Sequence, residues 1–310
     1  MPTALMTYDQ LLPVYRQVTG LPGQDDAFNS WVQGIIDLTG APTIEAIPNG
    51  FFDSPPGQRY VQRTTKLSGV KGDPTRSGKI AVPPVNAGDY ERHVAYLIKT
   101  HPIDEAMSIA VGGNYEIIGD IASQVVVYAG AKDGDSIFDF GCGSGRVAHH
   151  LAARIKPARF LGTDIVQSLL EYAATKTPDN FTFKVHLELS VPAPDNSFDV
   201  AYAFSVFTHL LQAEIYLYLQ DIQRTLKPGG TFVFSFLEFS EAGHWPVFQQ
   251  TVATLAAKNP SHLNLFMERS QIATLASHVG FILSECIDAN EPKWDGRALG
   301  QSIAILKKPR

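Results

Sequence analysis

The chain reads Ile137-Phe138-Asp139-Phe140-Gly141-Cys142-Gly143-Ser144-Gly145-Arg146 near its middle. The apolar residues before the glycines predict a short buried strand over 136–140, and the residues after them predict a helix over 145–155. Three glycines within five positions permit positive φ angles and a close approach of the backbone to a ligand. The start of the helix then offers free N–H groups to a polar or anionic group. The stretch therefore predicts a ligand-binding turn rather than a plain strand–helix connection.

Predicted strands and helices alternate on both sides of this turn. The strands are predicted at 136–140, 160–163, 181–187, 198–204, 231–237, 281–287 and 301–306. The helices are predicted at 89–99, 114–129, 145–155, 166–175, 209–226, 247–257 and 270–279. This alternation is typical of an α/β fold with a doubly wound, Rossmann-like sheet of seven mostly parallel strands. Only a loop, 288–300, separates the last two strands, which favours an antiparallel hairpin of these two strands at the sheet edge.

The composition changes near residue 88. The segment 41–88 is rich in proline and glycine, which oppose long helices, and two helices are predicted before it at 11–18 and 28–38. We therefore divide the chain into an N-terminal extension, 1–88, and a ligand-binding domain, 89–310. The extension is predicted to act as a lid or a substrate-specificity element.

The bulk composition excludes several classes of protein. The chain has 310 residues, of which 45% are hydrophobic and 18% charged, so it can bury a sizeable core. Its net charge of −6 gives no overall attraction to nucleic acid or to an anionic membrane. The two cysteines, Cys142 and Cys286, form no disulfide framework and no zinc-spaced cluster. The sequence shows neither a signal peptide nor a membrane span, which predicts a cytoplasmic protein.

Two ligands fit the glycine turn on its own. The run Gly143-Ser144-Gly145-Arg146-Val147-Ala148 satisfies the dinucleotide pattern G-x-G-x-x-A, and an acid follows at Asp164. In the dinucleotide pattern, however, the first glycine follows the strand closely, and no acid stands at the position of Asp139. The turn alone leaves an NAD(P)-dependent oxidoreductase open as an alternative.

The turn resembles motif I of the class I S-adenosylmethionine (SAM)-dependent methyltransferases, which reads apolar-apolar-Asp-x-Gly-x-Gly-x-Gly. Four later segments match the same family in order: 161–165 at the second strand, 191–200 before the fourth, 204–210 after it, and 226–230 before the fifth. The post-strand segment is similar to that of bacterial small-molecule and glycan methyltransferases. The resemblance covers about 110–310 and leaves 1–88 uncovered.

The resemblance implies SAM as the cofactor and assigns a role to each matching position. Asp139 is expected to help hold the amino group, Asp164 to accept the ribose hydroxyls, and Ile165 to pack on the adenine. Because the third strand lacks the usual acid, Leu187 or Glu188 is expected at the adenine edge. Tyr115 either reaches the carboxylate of SAM or is a packing aromatic. The methionine part of SAM is expected to contact the turn and the end of the fourth strand, at Gly141, Cys142, Gly143, Gly145, Phe204 and Ser205.

The region after the fourth and fifth strands, which we call the acceptor end because the methyl acceptor is expected there, offers three catalytic candidates. His209 and His244 follow the fourth and fifth strands, where ligands bind in open α/β sheets, and imidazole titrates near neutral pH. Glu238, at the end of the fifth strand, is expected either to bind or deprotonate a substrate or to be a solvated loop acid. Ser205 stands where metal-dependent relatives carry an aspartate, so no metal is expected. The chain also lacks the Pro-Pro-aromatic and Pro-Cys motifs of nucleic-acid methylases.

These observations predict methyl transfer from SAM to a small molecule or sugar, on oxygen and without metal. Six basic residues between 59 and 79 form either a solvated loop or a patch for an anionic or carrier-bound substrate. A second alternative is a SAM-binding subunit without activity of its own. The accepting atom, the identity of the acceptor and the oligomeric state stay open.

Overall fold

The computed structural model describes residues 11, 32, 33, 35, 87–257 and 264–310. The chain divides into two compact units, Met1–Val82 and Pro83–Arg310. In the first unit, Leu11, Val32 and Ile35 are helical and buried. The rest of the predicted helices at 11–18 and 28–38, the proline-rich segment and the basic residues of 59–79 lie outside the described residues. The role of the extension therefore stays a prediction.

The second unit alternates helices and strands. Its helices are α1 (Ala87–Thr100), α2 (Ile103–Ala110), α3 (Tyr115–Tyr128), α4 (Arg146–Ala152), α5 (Gln167–Lys176), α6 (Gln212–Thr225), α7 (Trp245–Ala256) and α8 (Arg269–His278). Its strands are β1 (Ser136–Phe140), β2 (Arg159–Asp164), β3 (Phe181–Val185), β4 (Phe198–Ala203), β5 (Leu226–Phe236), β6 (Ile282–Ile287) and β7 (Ser302–Lys307). Two short 3₁₀ turns, Phe207–His209 and Ala242–His244, follow β4 and β5.

The seven strands form one sheet in the order β3-β2-β1-β4-β5-β7-β6. The first five strands of this order are parallel, and β7 runs antiparallel to both β5 and β6. The predicted seven-stranded, mostly parallel fold with an antiparallel last strand is confirmed. Asp139 of β1 is in register with Gly162 of β2 and Tyr202 of β4, so the carboxyl ends of these strands share one edge.

The core lies between the sheet and the helices packed on it. Ile137, Val233 and Ile303 from three strands are fully buried, as are Val125 of α3 and Leu151 of α4. Burying one such side chain is worth about 1.5–3 kcal/mol. Strands covered on both faces are what the apolar runs predicted. This packing fixes the strand ends that carry the candidate site.

The structure corrects several predicted boundaries. Helix α2 was not predicted; Pro102 precedes it and ends the preceding segment. Helix α6 begins at Gln212 rather than at His209, because Leu211 is extended and its N–H donates to the carboxylate of Glu214. In the described residues, no helix is long and apolar enough to cross a membrane.

Candidate active site

The glycine turn has the backbone that its sequence predicted. Gly141, Gly143 and Gly145 have φ of 70°, 53° and 77°, a region that residues with a Cβ rarely adopt. A Cβ on Gly141 would lie 2.4 Å from the Val206 side chain, and one on Gly145 would lie 2.7 Å from the Cβ of Ala173. The glycines are therefore needed both for the turn itself and for the close packing of its neighbours.

Asp164 ties the end of β2 to this turn. Its Oδ2 accepts the Gly143 N–H at 2.9 Å, and its Oδ1 accepts the N–H groups of Ile165 and Val166 at 2.7 and 3.1 Å. Burial raises the pKa of Asp164, and the three N–H donors oppose that rise. A carboxylate offers about four acceptor sites, of which three are used. One site on Oδ2 is left for a hydroxyl donor.

Asp139 is more deeply buried than Asp164. It is 3% exposed and accepts a hydrogen bond of 2.9 Å from the hydroxyl of Tyr202, a residue that the sequence did not single out. Burial raises the pKa of Asp139 well above its usual range, although the Tyr202 bond acts in the opposite direction. The neighbouring Cys142 is also buried, and its thiol pKa is raised by burial first of all.

The helix α4 begins with a buried cation. The guanidinium of Arg146 is 7% exposed and donates to the carbonyl of Gly113 at 2.9 Å. Burial lowers its pKa to about 10, and among the described residues it forms no ion pair with a carboxylate. Beside it, the hydroxyl of Tyr115 donates to the carbonyl of Ser144 within the turn, at 3.0 Å. Buried charges are normally paired, so Arg146 is a candidate ligand for an anion.

The residues expected at the adenine lie just past β2 and β3. Ile165 is half-buried and packs against the apolar cluster that contains Met107 and Val166. The His186 N–H donates to the backbone carbonyl of Asp164 at 3.0 Å, which holds the segment after β3 next to β2. Leu187, which follows it, is 46% exposed and so available to a ligand.

The end of β4 is strained. Ser205 has a φ of 58°, a left-handed conformation that costs a non-glycine residue about 1–3 kcal/mol. Its N–H donates to Ser235 Oγ at 2.8 Å, and its hydroxyl and that of Ser235 both donate to the side-chain oxygen of Gln301, at 3.3 and 2.6 Å. Strain held by such a network is typical of a ligand-binding turn. Phe204, beside it, packs partly against the core.

The structure gives Glu238 an unexpected role. It is 1% exposed, which contradicts a solvated loop acid. Arg269 forms an ion pair with it at 2.8 Å, and the hydroxyls of Ser240 and Ser302 donate to it. Burial alone would raise the pKa of Glu238, but the hydrogen bonds from Arg269 and Ser302 hold it below the usual value. These contacts fit an anchor between β5, α8 and β7 and not a general base.

His244 is buried at the same end of β5. It is 1% exposed, and its Nδ1 lies 3.0 Å from the backbone N–H of Glu238. The carbonyl of Glu238 lies farther from Nδ1, at 3.3 Å. The shorter contact, in which Nδ1 accepts the N–H, favours the tautomer with its proton on Nε2. Nε2 and the hydroxyl of Thr208 are buried, and neither has a hydrogen-bond partner within the described ranges. His209, next to Thr208, is half-buried in the 3₁₀ turn after β4.

Comparison with known proteins identifies the region around the turn. Residues 138–234 match the family model described as a methyltransferase domain. The chain is 29% identical over 161 residues to a demethylmenaquinone methyltransferase of Symbiobacterium thermophilum, covering 44% of this chain and 63% of the relative. It is 31% identical over 129 residues to the O-methyltransferase cnsE of Penicillium expansum, covering 39% and 45%. This chain carries a class I SAM-dependent methyltransferase domain.

Two further matches show how much of the chain resembles known proteins. A 37.1 kDa protein encoded in transposon TN4556 of Streptomyces fradiae is 33% identical over 57% of this chain, and the match covers 52% of that protein. The chain thus spans about half to two-thirds of the first two curated relatives. The [4+2]-cyclase SpnF, at 20% identity and a TM-score of 0.52, shares the fold over 76% of this chain and 99% of its own.

The methyltransferase domain fits SAM as its cofactor. Asp164 keeps one acceptor site for a ribose hydroxyl, and Arg146 is a buried cation with no carboxylate partner in the part of the chain that the structure describes. The dinucleotide alternative is not supported, because the matched family and its named enzymes are methyltransferases. The individual contacts that the motif implied for the cofactor, and the absence of a metal, stay predictions.

Sequence reasoning missed Arg146, Tyr202 and Thr208. The type of residue alone gave no signal for Tyr202, which looks like an ordinary apolar position of a buried strand. Arg146 did carry a signal, since a long basic side chain at the first position of a helix after a glycine turn stands at the site of an anion. The burial of Arg146, on which its assignment as an anion ligand depends, follows from tertiary packing and cannot be predicted from this local pattern.

Proposed function

We propose that the chain transfers the methyl group of SAM to an oxygen atom of a small, ring-bearing organic molecule. The sulfonium of SAM supplies the activated methyl when the cofactor is bound, so the protein has to hold the cofactor and aim an acceptor oxygen. The observation that carries the proposal is the unpartnered, buried Nε2 of His244 at the carboxyl end of β5. Ligands of open α/β sheets bind at that end.

The cofactor end of the proposal rests on three side chains. Asp164 would accept a ribose hydroxyl on its remaining Oδ2 site, since two carboxylate oxygens serve neighbouring donors well. Arg146 would take the carboxylate of SAM, because an anion would supply the partner that its guanidinium lacks. Tyr115 would act indirectly by fixing the turn through Ser144.

The acceptor end carries an aromatic surface. Phe239 stacks on Phe266 at 4.7 Å between ring centroids, and Phe248 meets both of them edge-on, at 5.1 and 5.6 Å. Trp245 lies 5.2 Å from Phe248. Phe239 and Trp245 remain 45% and 47% exposed, so they offer faces to a planar or apolar ring. The named relatives include methyltransferases of demethylmenaquinone and of 2-phytyl-1,4-naphtoquinone, which supports an acceptor of this kind.

His244 would position the acceptor rather than deprotonate it. With the proton on Nε2, its imidazole is a donor to an acceptor oxygen and has no free lone pair for a proton. The Thr208 hydroxyl, in the 3₁₀ turn that follows the neighbouring strand β4, is also buried without a partner among the described residues and would be a second group for the acceptor. His209 remains the candidate base, as the sequence predicted.

The test uses the full chain with SAM carrying a labelled methyl group and a panel of naphthols, hydroxylated quinones and sugars. We expect a product heavier by one methylene with a naphthol or quinone acceptor. Trp245→Ala should raise the KM for that acceptor about tenfold, which corresponds to about 1.4 kcal/mol of lost ring contact, and leave SAM affinity unchanged. Tyr96→Ala, which removes an aromatic 61% exposed on α1, is the matched control.

Each other outcome has a distinct meaning. Binding of SAM without methylation of any acceptor would favour the non-catalytic subunit. Methylation of sugars alone would refute the aromatic acceptor and keep the glycan prediction. A chain that does not bind SAM would refute the whole proposal.

A further inference from the structure

Two adjacent histidines and a glutamate meet where helices α3 and α4 pack together. Glu116, His149 and His150 each place one potential ligand atom within 4.8 Å of the others. The helices come this close because α3 carries Gly119 at the contact: a Cβ there would lie 2.4 Å from the His150 ring. None of these three residues belongs to the cofactor or acceptor sites described above.

The spacing of Glu116 and His150 fits a bridging ion better than a hydrogen bond. His150 Nε2 lies 3.3 Å from Glu116 Oε2, yet this nitrogen is buried and forms no hydrogen bond with any residue that the structure describes. A tetrahedral Zn²⁺ with nitrogen and oxygen ligands at about 2.0–2.2 Å holds the two ligand atoms about 3.3–3.5 Å apart. The observed separation therefore already matches two ligands of one ion.

The orientation of His149 gives independent support. Its Nδ1 lies 2.7 Å from the backbone carbonyl of Lys176. A carbonyl can only accept, so Nδ1 carries the proton and Nε2 keeps a lone pair. Histidines that bind metals are commonly held this way by a carbonyl on the other nitrogen.

We propose that Glu116, His149 and His150 form a binding site for one divalent cation of the Zn²⁺ class. Two imidazoles and one carboxylate are ligands that Zn²⁺ accepts, with a fourth position open to water. The ring of Tyr115 lies 6.4 and 6.5 Å from the two imidazoles and its hydroxyl holds Ser144. A bound ion would therefore clamp α3 onto α4 beside the glycine turn, as a structural site.

The prediction from the sequence, that the chain holds no metal, was made from the catalytic end and the cysteines. It missed this cluster because two of the ligands are neighbours in the chain and the third lies on another helix. Zinc motifs read from sequence rely on ligands spaced along one loop or helix face.

The experiment measures the binding of Zn²⁺ to the untagged, metal-free full chain by calorimetry, and of Co²⁺ by its visible absorption. We expect one ion per chain, and a Co²⁺ spectrum of tetrahedral type. Glu116→Gln and His149→Ala should each weaken Zn²⁺ binding at least about tenfold. The Glu116 side chain is 76% exposed, so its replacement does not endanger the fold. His278→Ala, at an exposed position of α8, is the control and should bind as the unaltered chain does.

Thermal unfolding separates a built site from surface binding. Zn²⁺ should raise the melting temperature of the unaltered chain and of His278→Ala, and not that of His149→Ala. Binding of less than one ion per chain, or equal affinity in Glu116→Gln, His149→Ala and His278→Ala, would overturn the proposal. Neither measurement depends on methyl transfer.

Discussion

Replacing Glu238 by Gln separates an anchoring carboxylate from a catalytic one. Glu238 is the buried partner of its ion pair, at 1% exposure, whereas the side chain of Arg269 is 39% exposed. Arg269 also has a second carboxylate, Asp288, at 2.5 Å. Loss of the Glu238 charge therefore leaves the Arg269 guanidinium hydrated by water and still paired with Asp288. Losing Arg269 leaves a buried carboxylate with only hydroxyl donors.

The size of each effect follows from this asymmetry. Breaking a buried ion pair costs about 3–5 kcal/mol when the remaining charge stays buried, and exposure of one partner reduces the cost. We expect Arg269→Gln to lower the free energy of unfolding by about 3 kcal/mol and Glu238→Gln by about 1–2 kcal/mol. If Glu238 were instead a catalytic base, Glu238→Gln would abolish turnover and leave the free energy of unfolding unchanged.

The assay is urea unfolding followed by circular dichroism, combined with SAM calorimetry and with methyl-transfer turnover on the same variants. The pKa of Glu238 is held below its usual 4.5, so the stabilisation is complete above pH 4.5 and is lost as the pH falls below it. Arg269→Gln should reduce that acid-range loss. Equal stability of both variants and the unaltered chain, with normal SAM affinity but no turnover, would refute the anchoring role.

Three further substitutions test the site. Asp164→Ala should weaken SAM binding by at least tenfold in calorimetry, since it removes the ribose acceptor; affinity equal to that of the unaltered chain would refute that contact. Gly145→Ala should lower the free energy of unfolding by more than 1 kcal/mol in urea unfolding, because φ is 77° and Ala173 lies 2.7 Å from the new Cβ; an unchanged midpoint would contradict it. His209→Gln should reduce the turnover number with little change in SAM affinity if His209 is the base, whereas unaffected turnover would exclude it.

The sheet could be predicted from the sequence because its signals are local. Apolar runs such as the one ending at Phe140 mark the strands, and the glycines after them mark the turn. The helix boundaries were predicted less accurately than the strands. Helix α2 is short and was missed. Helix α6 starts after Leu211, whose N–H donates to the side chain of Glu214 three residues later. The alternation predicted a doubly wound sheet but not the order of its strands, in which β7 lies between β5 and β6.

The sequence predicted which types of side chain lie at the sheet edge. It did not predict their hydrogen-bond partners or the position of the imidazole proton. His244 and Glu238 were both candidates because imidazoles and carboxylates transfer protons. What separates them is the direction of one hydrogen bond: the N–H of Glu238 favours the His244 tautomer with its proton on Nε2, while Arg269 and two hydroxyls occupy the carboxylate. The N–H and the Ser240 hydroxyl are local, but Arg269 of α8 and Ser302 of β7 come from much later in the chain, so no local pattern encodes their contacts with Glu238. Under our proposal, the same fold therefore turns one candidate base into a hydrogen-bond donor and the other into an anchor.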